Sequence, residues 1–454
     1  MGYHNHLLVG PTHQVRRPPW LIFLFLAAVF FLVYHDLSYS KKGPDDFTLS
    51  EDDIAANVAE GSPVHRIALL SLGLFAIGSL VRHRTNGRLR IHGSLGWILL
   101  CFAAWASLSP IWAEDLALTI RRLVVFGILC IAAVAIACSF SFREIVFWTL
   151  FSSTLFLVVG FSAEVFLGTF RPFASGYRFA GTLDPNNQGV NCALLLLSGV
   201  AAADLEKNRR RLFRACALVG FGFLILTASR TSFAAALLSL AVYWGAVCSR
   251  ATKIALAYAL CMALCILLLV PEVLPDLKSA IMLGRDDHGI ESFHGRTGVW
   301  EEVGYYIRQR PILGYGYGGF WTPAHISAIS DEEKWGVPNS HSAYLDYLLT
   351  LGGVGLVAYI LLLIAGIGRA FRFQRLSQNS VFASCGALLV FCALDGLLES
   401  AVVNPSVLMF LSCVLLASLA FKDSSHTQRF CHLPSAKQSS QGGTRQPCVY
   451  IQLR

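Results

Sequence analysis

The sequence predicts an all-α, polytopic membrane protein with about twelve transmembrane helices and one large periplasmic loop that contains short helices. Of its 454 residues, 55% are hydrophobic and only 14% are charged, whereas soluble globular domains carry about 25% charged residues. The mean hydropathy is +0.57. These values argue against a water-soluble enzyme, a disordered chain and a coiled coil. With 13 cysteines in the whole chain, a secreted disulfide scaffold is also excluded.

The placement of the charges is the next observation, because they stand in short clusters between long apolar runs. A helix that crosses a bilayer needs about 20 apolar residues, with a range of about 17–25. Several of the candidate runs are short, and 189–203 is the weakest. The twelve runs are 20–35, 66–81, 95–112, 123–138, 145–167, 189–203, 212–227, 231–248, 254–271, 343–367, 380–399 and 405–421. No small-x-small cleavage site follows the first run, which we interpret as an uncleaved anchor.

The positive-inside rule predicts the orientation. With the N-terminus in the cytoplasm, the segments assigned to the inside contain 17 basic residues and three acidic ones. The two longest outside segments show the opposite sign: 36–65 has seven acids and two lysines, and 272–342 has ten acids and six bases. Both termini are therefore expected in the cytoplasm, with 272–342 on the periplasmic side.

This topology divides the chain into five parts. A cytoplasmic tail (1–19) precedes spans one to nine (20–271), which the large periplasmic loop (272–342) separates from spans ten to twelve (343–421). A second cytoplasmic tail (422–454) has a composition typical of disorder. The large loop is rich in aromatic residues, which favours an ordered structure, and its apolar spacing predicts a helix over 297–309 that Pro311 ends.

Three arginines and one histidine are the candidates for chemistry. Arg230 follows an apolar run. One interpretation places it at the centre of a span, where an arginine costs about 2.5–3.5 kcal/mol and usually faces a cavity or a partner. The other places it in a turn between two spans, with its side chain reaching the outer surface, and the sequence favours neither. Arg178 is either functional or an ordinary loop arginine. Arg296 is either functional or a surface arginine stacked on Trp300. His341 lies where the loop meets the tenth span and is either a general base or a capping residue.

Acidic residues are weaker candidates for function than the arginines and His341. Glu164, Asp395 and Glu399 lie in or near apolar spans, where an acid is either functional or marks a span end. The outside runs 286–287 and 331–333 lack the spacing of metal ligands, so we interpret them as solvated and expect no metal site. No basic patch with interleaved aromatics is present, so nucleic-acid binding is not expected.

Three segments, in this order, resemble the O-antigen ligase and polysaccharide polymerase family. They are Arg178-Phe179-Ala180-Gly181-Thr182 with 184–187, then Leu226-Thr227-Ala228-Ser229-Arg230-Thr231, and finally 295–300, which continues through 310–318 to His341, Tyr344 and Leu345. The last block is most similar to the exopolysaccharide-polymerase branch. The chain departs from the family at His294, Ser342 and Thr350, where serine, asparagine and glutamate are common, and this affects the positioning of the acceptor.

The resemblance implies an inverting, metal-independent glycosyltransferase without a cofactor, in the bacterial inner membrane with its active site facing the periplasm. Its partners would be an undecaprenyl-diphosphate-linked glycan, a saccharide acceptor, the lipid bilayer and other polysaccharide export proteins. Arg178, Arg230 and Arg296 would hold the diphosphate, with Arg230 also catalytic, and His341 would be the general base. The residues implied to contact the glycan are Trp300, Tyr344 and Asn186.

Within this family the sequence favours polymerisation, with ligation of O-antigen to lipid A-core as the alternative. Two other classes stay open. A secondary transporter is expected to contain internal repeats and broken helices, and no repeat is visible. A flippase for the same lipid-linked glycan would share the arginines but would need no base.

Overall fold

The computed structural model describes residues 20–34, 54, 58, 61–84, 93–174, 176–249, 252 and 296–422. The predicted ninth span (254–271), the tail 1–19, nearly all of the tail 422–454, and loop residues 272–295 lie outside the described residues. Within the described ranges, the regular secondary structure is helical.

The α-helices of the described residues are numbered in chain order. They are α1 (Trp20–Tyr34), α2 (Pro63–Arg84), α3 (Gly93–Leu108), α4 (Leu116–Ser139), α5 (Phe142–Leu167), α6 (Pro185–Leu205), α7 (Arg210–Leu226), α8 (Arg230–Val247), α9 (Arg296–Gln309), α10 (Pro323–Glu333), α11 (Ala343–Ser377), α12 (Ser380–Asp395) and α13 (Val407–Phe421). Short 3-10 helices follow α3 and α6, at Ser109–Ile111 and Lys207–Arg209 respectively.

Most of the predicted spans coincide with these helices, and only the run 254–271 has no described counterpart. By length and composition, seven helices are suited to cross a membrane: α2, α3 with its 3-10 extension, α4, α5, α6, α8 and α11. The apolar helices α1, α12 and α13 are shorter. The protein is therefore an all-helical membrane protein in its described part, and the total of about twelve spans stays a prediction.

Two of the predicted runs and the helices that correspond to them end at different residues. The tenth run was expected to end at 367, but α11 continues to Ser377, so the basic residues 369–375 lie on a helix and not in a loop. Hydropathy marks where the bilayer ends, whereas the helix ends only where Gln378 adopts a left-handed conformation. The eleventh run was expected to reach 399, but α12 ends at Asp395 and is followed by a turn.

Helix α6 lies at the centre of the bundle. It packs against α5, α7, α8 and α12, and 83% of its apolar window is buried inside the protein. Its contact with α7 is close because Gly199 has no side chain: a Cβ there would lie 3.0 Å from the Cβ of Ala217. A helix enclosed by other helices does not need lipid-facing apolar residues, which agrees with the short and weak apolar run that the sequence shows at 189–203.

The helix ends gather into two faces. We call the first one the site face; it contains 109–115, 168–174, 176–184, 227–230, 337–346 and 396–406. Two long-range hydrogen bonds join members of these segments: Arg178 Nε donates to Thr227 O (3.1 Å), and Ala343 N donates to Gly396 O (2.9 Å).

The opposite face contains the other helix ends. Tyr243 donates to Asp204 (2.8 Å), Arg369 donates to the carbonyl of Lys422 (3.4 Å), and Arg143 forms an ion pair with Glu206. Segments that the charge pattern assigns to one side of the membrane are therefore neighbours in the structure. The identity of the periplasmic face stays a prediction.

The described part of the large loop forms a small core of its own on the site face. Helices α9 and α10 and the glycine-rich turn 314–319 enclose a buried cluster that also contacts Leu349 of α11. The members from the loop are Val299, Val303, Tyr315, Phe320, Trp321, Ile326, Ile329 and Val337. The predicted loop helix is confirmed, since α9 spans Arg296–Gln309 and ends before Pro311.

Candidate active site

Arg178 lies in the loop between α5 and α6. Its Nε donates to the carbonyl of Thr227 (3.1 Å), and its Nη2 donates to Oδ1 of Asn186 (2.8 Å). Asn186 is placed by Asp184, whose carboxylate caps α6 by accepting from the backbone N–H groups of Asn186 (2.9 Å) and Asn187 (3.2 Å). Arg178 is therefore held against the turn between α7 and α8 and is not an isolated loop arginine.

Arg230 is the first residue of α8, directly after the turn 227–229, so it does not lie at the centre of a helix. Helix α7 ends because the Thr227 hydroxyl bonds back to Leu224 O (2.7 Å) and then accepts from Ser229 N (3.3 Å). Ala228 in this turn has a left-handed conformation, with φ 50°. The side chain of Arg230 is half-buried, with its Nε inside the protein.

Arg296 opens α9 and pairs with Glu399, with 2.6 Å between Nη2 and Oε1. Both side chains are largely buried, with 14% and 12% of their area exposed, so the interpretation of Arg296 as a surface arginine is wrong. Asp184 and Asp395 are electrostatic neighbours of Glu399. Asp395 in turn accepts from Ser232 on α8, two residues after Arg230.

His341 lies in the turn that leads into α11 and has a left-handed backbone, with φ 52°. Its N–H donates to Asn339 Oδ1 (3.0 Å), and the Trp300 indole donates to the carbonyl of Ser340 next to it (2.9 Å). The ring of Trp335 lies 5.6 Å from its imidazole. The Nε2 atom is buried and has no hydrogen-bond partner among the described residues, which does not fit a capping or surface role.

The pKa of His341 is lowered to about 3, first by burial and then by the positive charge of Arg296. The imidazole is therefore neutral at physiological pH. A neutral imidazole with a nitrogen lacking a partner is able to accept a proton.

Asp346, in the first turn of α11, holds the His341 turn in place. Its buried carboxylate accepts from Trp321 Nε1 (3.0 Å), Ser340 N (3.3 Å) and the hydroxyl of Ser400. Sequence analysis gave this residue no role. The only signal in the sequence was an acid in the first turn of a helix, where it also suits the helix dipole.

The turn after α12 is locked to the same place. The N–H of Ala343 donates to the carbonyls of Gly396 (2.9 Å) and Glu399 (3.2 Å). The start of α11, which follows His341, and the turn that carries Glu399 therefore form one rigid unit.

The structure thus brings the predicted arginines and His341 together on the site face. Arg178 contacts the turn that leads to Arg230, and Arg296 lies close enough to His341 to change its pKa. Arg296 and Asp184 are both electrostatic neighbours of Glu399. Of the residues predicted to contact a glycan, Asn186 is bonded to Arg178 and Trp300 to the His341 turn. The third, Tyr344, points its hydroxyl at the carbonyl of Ala393 (2.9 Å).

Carboxylates accompany two of the arginines: Asp184 is an electrostatic neighbour of Arg178, and Asp395 and Glu399 are electrostatic neighbours of Arg296. Three arginines share the region with Asp184, Asp395 and Glu399. In the part of the chain that the structure describes, no group of three or more His, Cys, Asp or Glu side chains is arranged to hold a metal ion.

A small cavity lies near the N-terminal ends of α4 and α13, and Asp346 is one of its lining residues. Its lining includes Arg122, Phe126, Tyr317, Trp321 and Asn404, and its volume is about 50 Å³. This is enough for a few water molecules.

The comparison with protein families gives one match to this region. Residues 215–360 match the family model described as O-Antigen ligase. This part of the chain is therefore similar to an O-antigen ligase domain. The resemblance to the O-antigen ligase and polymerase family is thereby confirmed. The matched segment, about a third of the chain, includes Arg230, Arg296 and His341, whereas Arg178 precedes it and Glu399 follows it. No curated protein matches the chain.

Proposed function

We propose that this protein is an inverting, metal-independent glycosyltransferase of the bacterial inner membrane. It transfers a glycan from undecaprenyl diphosphate to a saccharide hydroxyl at the periplasmic face and requires no cofactor. Polymerisation of O-antigen or exopolysaccharide is the preferred reaction, and ligation to lipid A-core is the alternative. The observation that carries the proposal is the cluster of Arg178, Arg230 and Arg296 beside a neutral His341, three of which lie in the segment that matches the O-antigen ligase family model.

The arginines suit a diphosphate. A guanidinium presents a planar fork that binds phosphate oxygens in a bidentate manner, and it stays charged at every working pH. As the glycosidic bond breaks, negative charge develops on the leaving diphosphate, and cations fixed beside it stabilise that charge. Arg178, Arg230 and Arg296 would thus do the work that a divalent metal does in other transferases.

His341 would activate the acceptor. Its imidazole takes the proton from the acceptor hydroxyl while that oxygen forms a bond to the anomeric carbon. The bond from this carbon to the diphosphate oxygen breaks, and undecaprenyl diphosphate leaves with the electron pair. A single displacement inverts the anomeric carbon. A diphosphate bound at Arg296 would offset the positive charge that lowers the pKa of His341, so donor binding would make it a stronger base.

Glycan contacts are the remaining part of the proposal. Trp300, Tyr344 and Asn186 lie around the cluster, and their rings and amide suit sugar faces and hydroxyls. Further polysaccharide export proteins are proposed as partners, because a polymer made at this face must be carried onward.

Deletion of the gene followed by analysis of surface glycans tests the reaction. Loss of long polymer, with accumulation of single lipid-linked repeats, is expected for a polymerase. Long lipid-linked polymer that is not attached to lipid A-core would identify a ligase. Unchanged glycans would contradict the proposed function.

The purified enzyme separates the remaining classes. His341→Ala is expected to lose turnover while keeping donor binding; a flippase would keep its transport, since it needs no base. Transfer is expected to continue in excess chelator. Activity that disappears in chelator and returns with magnesium or manganese would contradict metal independence.

A further inference from the structure

Glu164 is a buried carboxylate that the proposed reaction does not use. It lies on the last turns of α5 with 3% of its area exposed. Its Oε1 accepts from the backbone N–H groups of Ala180 (3.0 Å) and Gly181 (2.7 Å), and its Oε2 accepts from the hydroxyl of Tyr177. A buried carboxylate is costly unless hydrogen bonds satisfy it, and here three donors do so.

All three donors belong to the loop that carries Arg178. Tyr177 precedes the arginine directly, and Ala180 and Gly181 follow two and three positions later. Glu164 therefore holds this loop on both sides of Arg178. The sequence left open whether Glu164 merely marks the end of a span, and these contacts give it a more specific role.

The opposite side of the loop is fixed as well. Phe179 N donates to the carbonyl of Leu226 (2.8 Å), and Arg178 Nε donates to that of Thr227 (3.1 Å). Gly181 has φ 61°, and a Cβ on it would lie 2.8 Å from Cα of Gly160 on α5. The loop is thus clamped between the end of α5 and the end of α7, and Arg178 is directed into the turn that leads to Arg230.

We propose that Glu164 is a positioning residue, which orients Arg178 for the diphosphate of the donor by binding the loop on both sides of it. This inference rests on the proposed function. Its negative charge would by itself repel a diphosphate, so the contribution must come through geometry: the carboxylate oxygens are engaged by Tyr177, Ala180 and Gly181.

A double-mutant cycle tests the coupling between the two residues. Glu164→Ala, Arg178→Ala and the double variant are reconstituted in proteoliposomes, and KM is measured for a lipid-linked glycan donor and for the saccharide acceptor. Loss of the hydrogen bonds that place Arg178 should raise the donor KM about 10-fold or more. We expect this rise in both single variants, no further rise in the double variant, and an unchanged acceptor KM.

Two further variants distinguish positioning from a structural role. Glu164→Gln keeps an oxygen for both N–H groups, so it should restore most of the donor affinity. Val165→Ala, next to it on α5 with 48% of its area exposed, is the control and should have no effect. Should Glu164→Ala fail to fold, Glu164→Gln and Tyr177→Phe supply the cycle with Arg178→Ala, each with a smaller expected rise in donor KM.

Independent, multiplicative effects of Glu164 and Arg178, or equal changes in donor and acceptor KM, would overturn the positioning role alone. An unchanged donor KM in Arg178→Ala would also overturn the diphosphate role of Arg178 within the proposed function. The two failures are therefore distinguishable.

Discussion

Arg296 holds its guanidinium against the carboxylate of Glu399 at 2.6 Å, so one part of its donor fork is used before any substrate binds. A guanidinium has five N–H donors, and those that do not face Glu399 suffice for a phosphate. The ion pair fixes the orientation of the side chain and offsets its charge in a largely buried place. A diphosphate would then meet an arrangement that is already ordered, and little reorganisation would be needed.

Arg230 allows the clearest test of the bidentate interaction. Arg230→Lys keeps the charge but replaces the planar fork by a point charge. Because hydrogen bonds to charged groups contribute about 1.5–3 kcal/mol, kcat/KM for the donor should fall about 10- to 100-fold. Arg214→Lys is the matched control, since Arg214 is exposed and lies on α7 toward the opposite face. Equal activity of the two variants in a transfer assay would contradict the role of Arg230.

The buried imidazole of His341 should make stability depend on pH. An unfolded chain binds a proton at histidine with a pKa of about 6.5, whereas burial and Arg296 lower the pKa of His341 to about 3 in the folded protein. As the pH falls from about 6.5 towards about 3, only the unfolded chain takes up this proton, so stability is lost. Between pH 7.5 and 5, the thermal midpoint of the wild-type protein in detergent should fall further than that of His341→Gln. Parallel curves would show that His341 titrates normally.

At the scale of secondary-structure elements, the site is built from helix ends. Arg230 follows the turn 227–229, His341 lies in the turn before α11, and Glu399 lies in the turn after α12. Turns at a membrane face are open to both lipid-linked and aqueous substrates, whereas helix centres are enclosed by neighbours or lipid. The packed helices supply rigidity, and the turns supply the functional groups.

Gly352 connects the site to the long helix α11. With φ 67° and ψ −171° it interrupts the helical backbone, and a Cβ there would lie 2.0 Å from the carbonyl oxygen of Ile312. The glycine lets the loop segment 311–314 pack against α11 just below the His341 turn. The kink in α11 therefore makes room for the described part of the large loop to pack against this helix.

Substitution of this glycine should be destabilising. Gly352→Ala places a side chain in a backbone region that is essentially restricted to glycine, at a cost of about 1–3 kcal/mol before the clash with Ile312 is counted. Gly353→Ala is the control, because its nearest atom is Pro311 O at 3.4 Å and alanine favours a helix by about 0.5–1 kcal/mol. Thermal unfolding in detergent should show a lower midpoint for the first variant alone. A similar midpoint for both would mean that the kink tolerates a side chain.

For the whole molecule, composition and apolar runs were sufficient to predict the fold class and the position of most helices, because bilayer thickness fixes the length of a run. Helix ends were less predictable, since α11 extends beyond the predicted membrane boundary at 367. The sequence motifs were sufficient to predict the three arginines and His341 as site residues. Their partners were not predictable: Glu399 lies 103 positions from Arg296, and nothing in local spacing reports a contact over that distance.

Helix α8 relates the two faces to each other. It begins at Arg230 on the site face and ends at Val247, and its Tyr243 bonds Asp204 near the opposite face. The segment 204–211 is basic, whereas 272–342 carries more acids than bases. If the positive-inside rule holds, the site face is periplasmic and residues 204–211 are cytoplasmic.

Cysteine accessibility tests this orientation. In a variant whose 13 cysteines are replaced and which retains glycan assembly, single cysteines are introduced as Asp331→Cys in α10 and Asn208→Cys next to α7, both exposed positions. A membrane-impermeant thiol reagent should label the first in intact spheroplasts, and the second only after the membrane is permeabilised. The reverse pattern would place the arginines and His341 in the cytoplasm. A glycan polymerised for export could not use such a site, so that result would contradict both the topology and the proposed function.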